Sequence, residues 1–262
     1  MTKTQMVPED LWGARARDWA DIEDENSRPL FEAVLDATGV RDGTRLLDVG
    51  CGSGLACAIA AGRGAQVNGL DSSAGLIEIA SERVPEGDFR VGDMVSLPWE
   101  ENSFDAVTFV NSFFFATDRE AALREAGRVA GASVRIAVIS WAPPEKVEST
   151  AYLAALEPLL PPLPAEINPF IQPAELEELA RGAGLEPQRL VDLDWPWEYP
   201  DRKTALRGWL SPGPSALAIQ ASGEAAVRDA LAQTLEHFRL ADGGYRLENT
   251  VHCLIAGPGG AR

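Results

Sequence analysis

The sequence predicts an α/β domain built on a mostly parallel sheet, and three observations carry that expectation. The first is Arg45-Leu46-Leu47-Asp48-Val49-Gly50-Cys51-Gly52-Ser53-Gly54-Leu55-Ala56: a short apolar run, a turn with glycine at alternate positions, and the start of a small-residue helix. The second is that the next two strand candidates also finish at acids, Asp71 and Asp93. The third is Ser133 to Trp141, an almost unbroken apolar run such as a strand covered on both faces requires. Short apolar runs alternating with helical periods are the pattern of a parallel sheet flanked by helices.

Size and charge bound the function. With 262 residues the chain has the length for one such domain with modest insertions. A net charge of −17 argues against nucleic acid or an anionic membrane surface as partner. No run of about 18 apolar residues predicts a membrane span, and the N-terminus lacks the basic and apolar regions of a signal peptide. Three cysteines, Cys51, Cys57 and Cys253, are odd in number and without metal-ligand spacing. They suit a reducing cytoplasm and a protein that holds no metal.

In chain order, residues 1–8 read as a frayed terminus. Between Glu9 and Thr38 apolar residues recur at helical spacing in two stretches, with Pro29 expected at the start of the second helix. Trp12 and Trp19 fall on one helical face. Two readings stand for them, packing against the domain or capping a ligand. Thr44 to Val49 is the first strand, Leu55 to Arg63 its returning helix, and Ala65 to Leu70 the second strand, ending at Asp71. Ser72 or Ser73 caps a helix that buries Leu76, Ile77 and Ala80. Asp88 to Val91 and Phe104 to Val110 are strands three and four. Thr117-x-x-Glu120 reads as a capping box for a helix to Val129.

The glycine turn and the acids together describe a ligand site. Glycine at alternate positions lets the backbone bend sharply and approach a ligand with no Cβ between, and free N–H groups at the following helix start would face it. Asp48, just before the turn, would repel a pyrophosphate and favour a cationic ligand. Asp71 stands about 20 residues beyond the turn, where an acid accepts hydrogen bonds from ribose hydroxyls. Asp93 offers an acceptor to an exocyclic amine such as adenine's, with Met94 against the ring. Asn111 and Ser112 follow strand four at the carboxyl edge of the sheet, where ligands of open α/β sheets bind.

The runs LLDVGCGSG, GLDSS and GDMVSLPWEENSFDAVTF, in that order and spacing, resemble class I S-adenosylmethionine-dependent methyltransferases, and within them the type 11 or UbiE-like group that modifies small molecules. The resemblance covers about residues 40–142. It implies a Rossmann-like, seven-stranded, mostly parallel sheet whose strands six and seven form a reversed hairpin, with a helical substrate cap. It also implies Gly50, Cys51, Gly52 and Gly54 around the methionine part of the cofactor S-adenosyl-L-methionine, and Asp48 near its amino group. Asp71 falls on the ribose, Ser72 beside the adenine, and Asp93 and Met94 on the adenine edge. Asn111 and Ser112 lie toward the methionyl end, and Trp19, with Trp12, on a helix over the cofactor. S-adenosyl-L-homocysteine would be the product. Cys51 departs from the usual small residue of that loop, where only its backbone is needed.

The second half is less patterned. A helix is expected from Val147 to Leu156, then a stiff segment at Pro158, Pro161, Pro162, Pro164 and Pro169. A short helix over Pro173 to Gly184, a sixth strand from Leu185 to Leu193, a helix to Leu210, two further helices of which the second runs from Ser222 to Leu240, and a seventh strand from Tyr245 to Ala256 complete the chain. The whole reads as one domain: a core over 40–142 and 173–258, an N-terminal helical cap over 9–38, and insertions at 143–172 and 200–241 above the active site. Their Trp, Tyr, Phe and Leu content predicts a mainly apolar pocket for a small, apolar or aromatic acceptor. Methyl transfer from a sulfonium needs chiefly alignment of the acceptor. His237 and His252 adjoin no recognised motif, so no catalytic base is named. The expected function is methyl transfer to O, N or C of such an acceptor, with a small molecule as partner and monomer or homodimer both open. The alternative is a cyclase or isomerase that keeps the cofactor but transfers no methyl group.

Overall fold

The computed structural model describes residues 10–161 and 168–259; the frayed-terminus reading for 1–8 and the prolines Pro162 and Pro164 lie outside the described residues. Its centre is a seven-stranded sheet in the order β3-β2-β1-β4-β5-β9-β6. Strands β1 (Arg45–Val49), β2 (Gln66–Asp71), β3 (Asp88–Val91), β4 (Phe104–Phe109) and β5 (Ala130–Trp141) pair in parallel. β9 (Thr250–Pro258) is antiparallel to both β5 and β6 (Leu185–Asp194), so the expected reversed strand is present. The register Asp48↔Gly69 and Asp48↔Thr108 sets Asp48 in the middle of the sheet, next to the point where the strand order reverses.

The N-terminal segment is a broken helix. Asp10–Gly13 (α1) and Ala16–Asp18 (α2) lead into a π-helical turn, Trp19–Glu23, and then into Asp24–Thr38 (α3). Pro29 lies inside α3 rather than at its start. Its missing N–H leaves the Glu25 carbonyl without the usual helical partner, which solvent on that exposed face can supply. Gly39, at φ +72°, closes α3 in the left-handed conformation. Leu30, Val34 and Leu35 are the buried stripe of α3, facing the sheet.

Helices α4 (Leu55–Gly62), α5 (Ala74–Arg83) and α6 (Arg119–Val129) return the chain between parallel strands. Ser73 caps α5, its hydroxyl accepting from Leu76 N at 3.4 Å. The expected capping box at Thr117 is replaced by Asp118, which accepts from Ala121 N at 2.8 Å; a carboxylate at the positive end of a helix is the stronger cap. Gly54 stands at φ +79°, and a Cβ on it would fall 2.8 Å from the Ala80 Cβ of α5. That glycine is demanded by helix packing.

After β5 the sequence expectations hold less closely. The helix foreseen from Val147 begins at Thr150 (α7, Thr150–Leu156), because Val147 instead bridges to Asn249. α8 (Pro173–Gly182) precedes β6. The Trp-Pro-Trp-Glu-Tyr stretch forms a further strand, β7 (Trp197–Tyr199), paired with β8 (Tyr245–Leu247) in a separate two-stranded sheet. The single last strand expected from Tyr245 is thus divided at Asn249. This buried amide accepts from Ser149 N at 2.9 Å and donates to Trp195 O at 3.2 Å, which pins the chain where it changes sheets. α9 (Arg202–Trp209), α10 (Gly213–Ser222) and α11 (Glu224–Leu235) follow β7 in the chain. The helix expected to run from Ser222 to Leu240 starts after Gly223 and stops at Leu235, continuing only as a 3-10 turn.

There are two main apolar centres. The larger packs along the sheet with Leu47, Val107, Phe109, Ile136 and Leu254 among its fully buried members, and a smaller group at Leu46, Val67 and Ala106 covers the other face of β1, β2 and β4. The second is made by α7, α9, α10, α11 and the small sheet, around Leu156, Trp209, Leu231, Leu235 and Leu247. A buried polar chain ties this second centre to the N-terminal segment. Trp209 Nε1 donates to Tyr199 Oη at 3.1 Å, and Tyr199 Oη donates to Glu23 Oε1 at 3.0 Å.

Candidate active site

A cavity of about 1010 Å³ opens at the carboxyl ends of β1, β2, β3 and β4. The N-terminal segment forms one wall, with Trp12, Trp19, Asp24, Leu30 and Phe31. The glycine turn forms its floor. Gly50 stands at φ +77°, and a Cβ there would lie 2.2 Å from the Ser112 Cβ. Ser112 in turn donates from Oγ to the Val49 carbonyl at 2.5 Å, so the segment that follows β4 is tied to the end of β1 at the turn.

The N–H groups of the turn are largely engaged within the protein. Gly50 N and Cys51 N donate to Leu70 O, and Gly54 N donates to Cys51 O. Gly52 N donates to Asp71 Oδ2 at 2.9 Å, while Ser73 N donates to Asp71 Oδ1 at 2.9 Å. The glycines therefore leave a ligand space more than donors. Asp71 is both a strut of the turn and a cavity-facing carboxylate with lone pairs to spare. Burial pushes its pKa up, and the N–H bonds from Ser73 and Gly52 oppose that rise.

The electrostatics of the floor are strongly acidic. Asp48 is buried beneath the turn and accepts from Thr108 Oγ1 at 2.7 Å. Burial, and then the charges of Asp71 and Asp24, push its pKa up to about 7 against the restraint of the Thr108 bond. Asp24 is pushed up to about 6 by burial; its bonds to Ser53 and Arg83 and the Arg83 charge work the other way. A bound cation would relieve this clustering.

Eleven of the twelve residues expected at the site line this one cavity: Trp19, Asp48, Gly50, Cys51, Gly52, Asp71, Ser72, Asp93, Met94, Asn111 and Ser112. The exception is Gly54, turned instead toward α5. Asp93 accepts from Val95 N at 3.1 Å, which fixes its side chain in the turn after β3. Asn111 adopts φ +56°, and its Oδ1 accepts from Trp141 Nε1 at 2.9 Å.

The reading of the sequence missed Asp24, Ser27, Phe31 and Trp195, which also line the cavity. No local signal singled out Asp24, which stands in the acidic run Asp21-Ile22-Glu23-Asp24-Glu25 and reads there as one more solvated carboxylate. The walls differ from expectation as well. Among the described residues, none from 143–161, 168–172 or 200–241 lines the cavity. Their aromatic and aliphatic side chains, such as Tyr152 and Trp209, form the second apolar centre instead. The apolar wall comes from Leu30, Phe31, Phe114, Phe115, Leu179 and Trp195. Trp195 packs at 4.9 Å between centroids on Trp141, and its indole N–H is buried without an acceptor among the described residues.

Neither histidine is at the cavity. His237 is exposed, with Nδ1 at 3.0 Å from Thr234 O. His252 sits on β9 with Nδ1 2.7 Å from Asp192 Oδ1.

Residues 47–137 match the family described as "Methyltransferase domain". A demethylmenaquinone methyltransferase of Renibacterium salmoninarum is 36% identical over 111 residues, 42% of this chain and 47% of that protein. A ubiquinone biosynthesis O-methyltransferase of Saccharophagus degradans is 28% identical over 190 residues, 68% of this chain and 80% of that protein. The chain thus spans about half the length of the first of these relatives. In fold it is similar to the YcgJ protein of Bacillus subtilis, with a TM-score of 0.62 at 18% identity over 88% of this chain and 98% of the other. The glycine turn and the strand-end acids Asp48, Asp71 and Asp93 all lie inside the stretch 47–137, over which the chain is similar to the methyltransferase domain family.

Proposed function

We propose that the protein transfers a methyl group from S-adenosyl-L-methionine to a small, flat, largely apolar acceptor. The observation that carries this reading is the convergence of Asp24, Asp48, Asp71 and Asp93 with a glycine-floored turn on one cavity. Such a donor set fits a cationic nucleoside: carboxylates for the ammonium, sulfonium and ribose hydroxyls, and no lysine or arginine cluster for a pyrophosphate. When bound, the cofactor supplies an electrophilic methyl group. Asp71 accepts from the ribose hydroxyls, Ser72, Asp93 and Met94 hold the adenine, and the turn at Gly50–Gly52 lies under the methionyl part. Asn111 and Ser112 fix the floor near that end, with Trp19 and Trp12 above.

The remaining wall sets the acceptor. Phe31, Phe114, Phe115 and Trp195 exclude water and suit an aromatic ring, in keeping with relatives named for quinone biosynthesis. No imidazole lines the cavity, so the residues work by alignment and desolvation more than by proton removal. An acceptor that is already ionised at the working pH fits that arrangement best.

Calorimetric titration of the protein with S-adenosyl-L-methionine and S-adenosyl-L-homocysteine tests the reading, followed by product mass with phenolic and quinol acceptors. We expect saturable binding of both nucleosides and a gain of one methylene unit in the product. Asp71→Ala should weaken binding ~100-fold, since charged hydrogen bonds contribute about 1.5–3 kcal/mol each. A folded protein that binds neither nucleoside overturns the proposal, and product without mass gain assigns a cyclase or isomerase instead.

A further inference from the structure

The π turn at Trp19–Glu23 brings two polar groups, the Trp19 indole N–H and the Asp24 carboxylate, to one corner of the cavity. A Cβ built on Gly52 would stand 3.6 Å from Trp19 Nε1 and 4.0 Å from Asp24 Oδ1. Gly52 carries no such atom, so this corner is open space bounded by an indole N–H and a carboxylate oxygen. The Trp19 N–H is buried and has no acceptor among the described residues. It lies close enough to Asp24 to hold that pKa down a little without reaching hydrogen-bond geometry.

Asp24 is held by one oxygen only. Its Oδ2 accepts from Ser53 Oγ and from Arg83 at 3.1 Å, and Arg83 also reaches Ser53 Oγ at 2.9 Å. Its Oδ1 accepts nothing from the described residues and faces the Gly52 corner. A carboxylate side chain 95% removed from solvent is costly unless paired. Arg83 orients it and offsets part of that cost, and the free oxygen is then aimed by a rigid frame of α3, the glycine turn and α5. π turns are rare and concentrate at functional sites. The extra residue here shifts the helix register, so that Glu23 enters the second apolar centre while Asp24, the next residue, meets the glycine turn.

We infer that this corner is the receptor for a zwitterionic α-amino-acid group: Asp24 Oδ1 takes the ammonium and the Trp19 indole N–H takes the carboxylate. This rests on the cofactor reading above and names the residues that read its amino-acid end. An anionic acceptor beside an N–H donor matches the ammonium and carboxylate of a zwitterion, and the ribose and adenine are met at Asp71 and Asp93 by the reading above. Gly52 makes the close approach possible. The residues come from the N-terminal segment, so occupancy of the corner also fastens that segment over the floor.

The test compares two ligands on each variant: S-adenosyl-L-homocysteine, which carries the amino-acid end, and 5′-methylthioadenosine, which lacks it. Wild-type protein should bind the first far more tightly. In Asp24→Asn we expect affinity for S-adenosyl-L-homocysteine to fall ~30-fold or more, with 5′-methylthioadenosine unchanged within about twofold. Trp19→Phe, which keeps the aromatic face, should lose ~5–10-fold on the first ligand alone. These ranges correspond to one charge-assisted and one ordinary hydrogen bond. Equal losses on both ligands would make Asp24 a structural support of the turn and overturn the inference, as would no loss on either. Unchanged binding of 5′-methylthioadenosine shows the variants folded. If wild-type protein binds neither nucleoside, the cofactor reading itself has failed; if it binds both equally, only the amino-acid corner has.

Discussion

Gly50→Ala should unfold the protein some 5–15 °C lower than the wild type and abolish nucleoside binding. Two costs add. The position has φ +77°, where a side chain costs about 1–2 kcal/mol. The new methyl would also stand 2.2 Å from Ser112 Cβ and 2.7 Å from its Oγ, and Ser112 is itself buried. Overpacking of that kind costs about 1–3 kcal/mol more, and for a chain of this size each kcal/mol lowers Tm by about 2–4 °C. Gly52→Ala separates the two costs. At φ +54° it carries the backbone strain, but its methyl meets nothing closer than 3.6 Å. Its Tm should drop by only a few degrees while binding is lost as completely, because the methyl fills the corner between Trp19 and Asp24. Combining Ser112→Gly with Gly50→Ala removes the clash but keeps the strain. Thermal melts should show the pair more stable than the sum of the single changes, a coupling that a double-mutant cycle measures. Additive losses would mean the turn is not held by that contact.

That contrast also explains how much was legible beforehand. The first half could be read because each element announces itself within a few residues. Glycines mark the turn, acids mark the ends of β1 and β2, and a continuous apolar run marks β5. All but one of the site residues expected from those motifs line one cavity. Gly54 looked like its two neighbours in sequence, yet its need for φ +79° and no Cβ comes from Ala80, a partner 26 positions away. Such a contact leaves no local pattern. Asp24 was hidden for a related reason: its burial depends on Ser53, Arg83 and a π turn that no period in the sequence encodes. The aromatic residues after β6 were visible as apolar but not as to destination. Trp195 reached the cavity, whereas Tyr199 and Trp209 went to the second apolar centre, where Glu23 satisfies the Tyr199 hydroxyl. Composition predicts burial and cannot say against what. The division of the last strand turned on the Asn249 amide, a long-range hydrogen-bonding junction of the same kind.

Stability and cofactor affinity should run in opposite directions with pH. Burial raises the pKa of Glu23 to about 7, of Asp24 to about 6 and of Asp48 to about 7. In the unfolded chain the same groups titrate near 4. The folded protein thus holds protons that the unfolded chain has released, and stability falls as pH rises between these values. Each group contributes a slope of up to about 1.4 kcal/mol per pH unit within its window. Below that window Asp88, Asp105, Glu125 and Asp192, all lowered mainly by hydrogen bonds from Arg90, Arg45, Arg128 and His252, reverse the trend. The ligand-free protein should therefore melt highest near pH 5 and lose several degrees by pH 8. A cation held at Asp24 and above Asp48 favours their ionised forms, so binding at pH 6.5 should release protons. Affinity for S-adenosyl-L-methionine should rise from pH 5 to pH 7 by up to tenfold per unit for each proton released. Calorimetry in two buffers of different ionisation enthalpy counts those protons directly. Glu23→Gln distinguishes the sources, because Glu23 bonds to Tyr199 and does not line the cavity. It should flatten the pH dependence of Tm and leave that of binding unaltered, whereas Asp48→Asn should flatten both. A Tm that climbs steadily from pH 5 to pH 8 would show that these carboxyls are ionised in the folded protein, and binding would then release none of their protons.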